Sequence, residues 1–172
     1  MLHCKIRLIV GFVVWLFAVV GYAAPKPEVA GYVTRVRGEV VSEAATGRQT
    51  LALGRALYLG DRIMTGVDAR LEARMRDGMV VTLGEKTEFV IQQVAGVTPD
   101  KNNSVFELAK GVFRSATAQT EEKAQPREPC RVETPVATIG IRGTELWGGF
   151  NLLDAGVRTL DVVMLEGKGV YV

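Results

Sequence analysis

Four carboxylates stand beside glycine turns in this chain: Asp61, Asp77, Glu85 and Glu88. Two of them, suitably spaced, would make the acid and base of a glycan-cleaving pair. The same side chains have a plainer use, and it is the favoured one. Asp61 after Gly60 and Asp77 before Gly78 can cap backbone N–H groups in turns, while Glu85 and Glu88 suit a solvated face. Ser42, Ser104 and Ser115 lack a histidine to activate them, and no Ser-x-x-Lys spacing supplies a lysine instead.

The single histidine, His3, and one of the two cysteines, Cys4, fall in the first two dozen residues. The remainder has no histidine and one cysteine. Without the leader's Lys5 and Arg7, the 21 basic residues fall to 19, matching the 19 acidic ones. A body without histidine lacks the usual general base and most Zn, Cu and haem ligand sets. One cysteine excludes CxxC, iron–sulfur and internal disulfide frameworks. Zero net charge gives no general electrostatic reason to bind nucleic acid. No catalytic residue, cofactor or metal is therefore expected.

The first residues read as an address. Lys5 and Arg7 precede the uncharged run Leu8–Val20, which ends in Gly21-Tyr22-Ala23-Ala24. A basic start, a short apolar core and small residues at −3 and −1 make a secretory signal peptide, cut after Ala23. The alternative is an uncleaved anchor, for which the run is short of the ~20 residues a span needs. In both cases the body, residues 24–172, is exported as one domain. Cys130, between Pro129 and Arg131, is then a lone thiol in an oxidising compartment. A tolerated free thiol is favoured over an intermolecular disulfide.

The elements that must position these side chains are short strands. Leu71, Ala73 and Met75 alternate with Glu72, Arg74 and Arg76, the period-2 pattern of a strand with one buried face. Asp77-Gly78 supplies hairpin turn chemistry and Met79–Leu83 returns. Gly31–Arg37 alternates with Tyr32 outward, and Thr87–Val94 places Phe89 and Ile91 on one face. Pro99–Ser104 is a polar break. Val105, Phe106 and Leu108 resume, Lys110-Gly111 turns, and Ala116–Pro129 reads as a surface loop. Arg131–Thr134, Thr138–Ile141, Thr144–Phe150, Thr159–Leu165 and Lys168–Val172 complete the series. No stretch after Ala24 keeps a helical apolar stripe for three turns without a Gly. The fold class is all-β, and periodicity does not choose among sandwich, barrel and solenoid.

Two motifs stand out. In Leu53–Gly66, Gly54 and Gly60 suit tight bends, Asp61 caps, and Thr65-Gly66 marks the exit turn. In Glu133–Glu145, Pro135 removes a donor and presses Thr134 to extended geometry, so a strand ends or crosses there. Gly140 and Gly143 flank Arg142, freeing its guanidinium for backbone carbonyls or a carboxylate.

These residues resemble the FecR domain, named for the periplasmic regulator of ferric-citrate uptake. Its pattern runs through Gly31-Tyr32-Val33 and Gly38-Glu39-Val40, then Leu57 to Thr65, Asp77-Gly78, and Leu108 to Phe113. It closes with Thr134-Pro135, Arg142-Gly143-Thr144 and Val162 to Gly167, so the resemblance covers Gly31 to Val172. It implies an irregular β-solenoid or twisted β-sandwich, with the solenoid preferred. It also implies work at the envelope of a Gram-negative-type bacterium, in the periplasm or tethered to its membrane. The regulator's sigma-holding helical domain has no room in Met1–Arg7, so direct sigma-factor binding is not expected.

The resulting expectation is a non-enzymatic, exported FecR-like binding module engaged in signalling or scaffolding. Its partner would be an envelope protein, such as a receptor or transducer, or a cell-wall component. The alternative is a peptidoglycan-binding, other glycan-binding or carboxylate-dependent glycan-cleaving protein. Trp147 and Phe150 are the aromatic candidates for a recognition contact, although core plugging is favoured for Trp147 and a structural clamp for Arg142.

Overall fold

In a computed structural model of the chain, residues 27–44, 47–99, 101–117, 130–141, 144–150, 159–167 and 170–171 are described. The segment read as a signal peptide, Arg142, Gly143 and most of the Ala116–Pro129 segment lie outside them. Among the described residues the structure is all-β, with fifteen strands and no helix. They are β1 (Val29–Arg37), β2 (Val40–Ala44), β3 (Gly47–Thr50), β4 (Ala56–Tyr58) and β5 (Arg62–Thr65). Next come β6 (Arg70–Met75), β7 (Met79–Leu83), β8 (Glu88–Gln93), β9 (Val105–Lys110) and β10 (Val112–Thr117). The last are β11 (Cys130–Glu133), β12 (Thr138–Ile141), β13 (Thr144–Phe150), β14 (Leu160–Gly167) and β15 (Val170–Tyr171). No helix among the described residues is long and apolar enough to cross a membrane.

The strands form two sheets. One runs β14-β13-β10-β7-β6-β1-β4 and the other β15-β12-β11-β9-β8-β5-β2-β3. Their inner faces share one hydrophobic core: Leu57, Leu71, Leu83, Phe113 and Leu146 from the first sheet, Ile63, Phe89, Ile91, Phe106 and Ile139 from the second. Burying each such side chain contributes about 1.5–3 kcal/mol. The Phe89 and Phe106 rings stack at 5.2 Å, a pairing worth about 1 kcal/mol beyond its area.

Of the two architectures expected, the paired sheets have the layering of a sandwich. Strand order follows chain order in both sheets except where β4 lies outside β1 and β3 outside β2. Stacked solenoid coils would pair in parallel, whereas the pairs here are antiparallel apart from β9 with β11. That exception arises because the chain crosses to the other sheet as β10 before returning, so β11 arrives in the same direction as β9.

Local readings meet the structure differently. Leu71, Ala73 and Met75 are buried, and Gly78 takes the left-handed conformation at φ 87° in the hairpin turn. Pairing between β1 and β6 slips at Thr34: Val33 faces Ala73, yet Arg35 already faces Glu72. This bulge breaks the simple alternation read for Gly31–Arg37 and turns Val36 toward the core. Ala116 and Thr117, expected in a loop, extend β10 and pair with Val80 and Met79. The polar break before β9 does not simply run over the surface, because Asn103 and Ser104 are buried there.

Candidate functional site

Several of the conspicuous motif residues make turn and cross-strand contacts, while Arg142 and Gly143 lie outside the described residues. Gly54 and Gly60 sit at φ 77° and 86°. Asp61 is almost fully buried, and its Oδ2 accepts the Tyr58 N–H at 3.0 Å while its carbonyl accepts the Ile91 N–H at 3.1 Å. Burial pushes the Asp61 carboxyl above its ordinary range, against opposing pulls from the Tyr58 N–H and the nearby Ser42 hydroxyl. Ser42 Oγ and Asp61 Oδ1 are both buried, and neither makes a hydrogen bond of good geometry.

Thr65 Oγ1 donates to the Gly84 carbonyl at 2.6 Å and accepts the Thr87 N–H at 2.8 Å. Thr87 Oγ1 in turn accepts the Val112 N–H at 2.9 Å. Two hydroxyls thus tie three chain reversals together.

At the next turn, Asp77 Oδ1 accepts the Met79 N–H at 2.9 Å and Oδ2 accepts the Ser104 hydroxyl. Cys130 is buried close by. Desolvation first, and the Asp77 charge second, push its thiol well above the ordinary value of 9.0. Thr134 Oγ1 donates to the Ala137 carbonyl at 2.7 Å and accepts its N–H at 3.0 Å, so Pro135 lies inside the reversal between β11 and β12. Thr144 opens β13 opposite Gly167, and Phe150 ends it opposite Leu160.

The remaining carboxylates are engaged as well. Glu85 Oε2 accepts the Asp68 N–H at 2.9 Å, and Glu88 pairs with both Arg62 and Lys110. Among the described residues, no cluster of His, Cys, Asp and Glu has the makings of a metal site.

A different feature forms on the outer face of the seven-stranded sheet. Arg35, Arg37, Arg70 and Arg114 line a groove of about 570 Å3, with Glu72 and Thr82 among the residues between them. Strand order builds it. Arg35 faces Glu72, Glu72 faces Thr82, Thr82 faces Arg114, and Arg114 faces the half-buried Trp147. Cross-strand partners share a face, so these side chains form one row across five strands. Within it, Glu72 accepts the Thr34 hydroxyl at 2.9 Å and lies 3.7 Å from Arg35, while Arg114 pairs with Glu145.

Arg37 and Arg70 lie directly opposite each other in the ladder. Both are exposed, and neither has a carboxylate partner among the described residues. Like charges placed so are destabilising by a few tenths of a kcal/mol or more. The sequence reading missed this group. Its only signal was outward arginines in separate alternating strands, and net charge averages that asymmetry away.

The described residues thus form a two-sheet β domain with a side-chain-lined groove on one outer face, and Asp61 and Asp77 are committed to turns. The family model described as FecR protein matches residues 61–168, more than half of the chain, and the chain belongs to that family. No curated protein matches it. A solved structure described as a cell surface anchoring domain is similar at 24% identity and a TM-score of 0.34, covering 35% of this chain and 80% of that one.

Proposed function

We propose that this FecR-family chain is a non-enzymatic exported module that acts in the periplasm by docking an envelope partner, in signalling or scaffolding. The docking surface is the arginine groove on the seven-stranded sheet. The observation that carries this reading is the unneutralised pair Arg37 and Arg70, set face to face at a cost that an anionic partner would relieve. The engagement of Asp61, Asp77, Glu85 and Glu88 in turns and ion pairs supports docking over glycan cleavage.

The test is retention of envelope material by the immobilised chain and by an Arg37→Gln/Arg70→Gln variant of unchanged circular dichroism. Retention by the parent and its loss in the variant is the expected result. Equal retention moves the docking surface elsewhere. Turnover of an envelope substrate, abolished by Asp61→Asn, overturns the non-enzymatic reading.

A further inference from the structure

We infer that the groove takes a linear polysaccharide bearing carboxylates, of the uronic-acid kind. This rests on the docking reading above and narrows its ligand. The argument begins with the backbone. Arg70 on β6 and Arg114 on β10 lie on strands hydrogen-bonded on both sides, whereas β1 pairs with β4 only through Val29–Tyr32 and carries Arg35 and Arg37 on the stretch bonded to β6. Across β6, β7 and β10 the backbone N–H and C=O groups are consumed in ladders, and a peptide cannot add there as another strand.

Recognition on this face falls to side chains, and their chemistry is specific. Arg37 and Arg70 offer planar forks that suit carboxylates in a bidentate manner, while Arg35 and Arg114, paired with Glu72 and Glu145, flank them. Glu72 and Thr82 in the same row accept hydrogen bonds from hydroxyls, and a carboxylate there opposes a ligand dense in phosphate. Trp147, across from Arg114, adds an aromatic face at the end of the row. Neighbouring strands are spaced by about 4.8 Å, close to the length of one hexose ring, so the row offers roughly one polar group per sugar. Charges interspersed with hydroxyls and ring faces describe an acidic glycan better than an acidic peptide.

Calorimetric titration of the purified chain with oligogalacturonates, and with polyglutamate of matched charge, tests this. Oligogalacturonates are expected to bind, more weakly as salt rises. Arg37→Gln/Arg70→Gln should weaken binding by about tenfold or more through loss of charge-assisted bonds. Trp147→Ala should weaken it by about threefold or more, and Trp147→Tyr by less, because tyrosine keeps a ring face. Arg48→Gln/Arg131→Gln, on the other sheet, should change it less than about twofold because neither side chain lines the groove. Failure to bind oligogalacturonate, equally tight polyglutamate binding, or an equal loss in the Arg48/Arg131 variant overturns the assignment. Arginine-dependent retention of an envelope partner without oligogalacturonate binding would sink the glycan and leave the docking reading standing.

Discussion

Gly111 is packed directly against Thr87. A β carbon on Gly111 would lie 2.4 Å from Thr87 Oγ1 and 2.5 Å from its Cα, and the glycine already sits at φ 89°. The close approach lets Thr87 Oγ1 accept the Val112 N–H and join the β7–β8 reversal to the β9–β10 reversal. These reversals carry the chain from one sheet to the other, so the contact sets how the two sheets are joined.

Gly111→Ala is therefore expected to be severe. Left-handed strain of about 1–2 kcal/mol adds to about 1–3 kcal/mol for overpacking against backbone that cannot move aside. Gly78→Ala provides the comparison: its φ is also positive, at 87°, but a β carbon there meets open space. It should cost only the strain. Denaturant unfolding of both variants checks the difference, and equal losses would remove the role assigned to the Thr87 contact.

The Asp61 carboxyl has a folded pKa above its ordinary 3.8. For a raised acid, the protonated form favours folding. This contribution is fully present below the unfolded value and is lost as pH rises through the folded value. Near pH 7 the ionised group is thus a burden partly offset by the Tyr58 N–H. Asp61→Asn keeps an acceptor for that N–H and removes the charge, so it should match or exceed the parent in stability at pH 7. The parent should gain on the variant as pH falls toward 4. A difference in unfolding free energy that is flat with pH would contradict this.

Cys130 should behave as an inert core thiol. It is buried, and desolvation together with the Asp77 carboxylate disfavours its thiolate. Native protein at pH 8 should react with an aromatic disulfide reagent more than about 100-fold slower than unfolded protein, because the thiolate is the nucleophile. Non-reducing electrophoresis should show no linked dimer. Fast native labelling would show that β11 opens readily.

Arg70→Glu offers a test in which stability and binding move in opposite directions. It converts the like-charge pair with Arg37 into an opposite-charge pair, worth roughly 0.2–1 kcal/mol at an exposed cross-strand position. The melting temperature should rise by about 1–4 °C for a domain of this size. Retention of the envelope partner should fall at the same time. A lower melting temperature would mean that Arg37 and Arg70 are accommodated without mutual repulsion.

Much of this molecule was legible residue by residue. The Asp77-Gly78 hairpin, the inward set Leu71, Ala73 and Met75, and the stop at Thr134-Pro135 depend on backbone preferences and alternation over a few positions. Such information is local, and local physics suffices to read it. The strands between Gly38 and Gly66 were harder to see, because β3 and β4 are short and glycine punctuation masks them. The bulge at Thr34 escaped because it exists only in relation to the opposing strand.

The sequence by itself determined an all-β body built of short strands, the capping roles of Asp61 and Asp77, and membership in a motif-bearing family. Only the tertiary structure decided that two sheets share one core and that Arg35, Arg37, Arg70 and Arg114 meet on one face. The reason is physical. Alternation tells each strand which side is outward, but strand order and register decide which outward side chains become neighbours, and those are fixed by packing between distant segments.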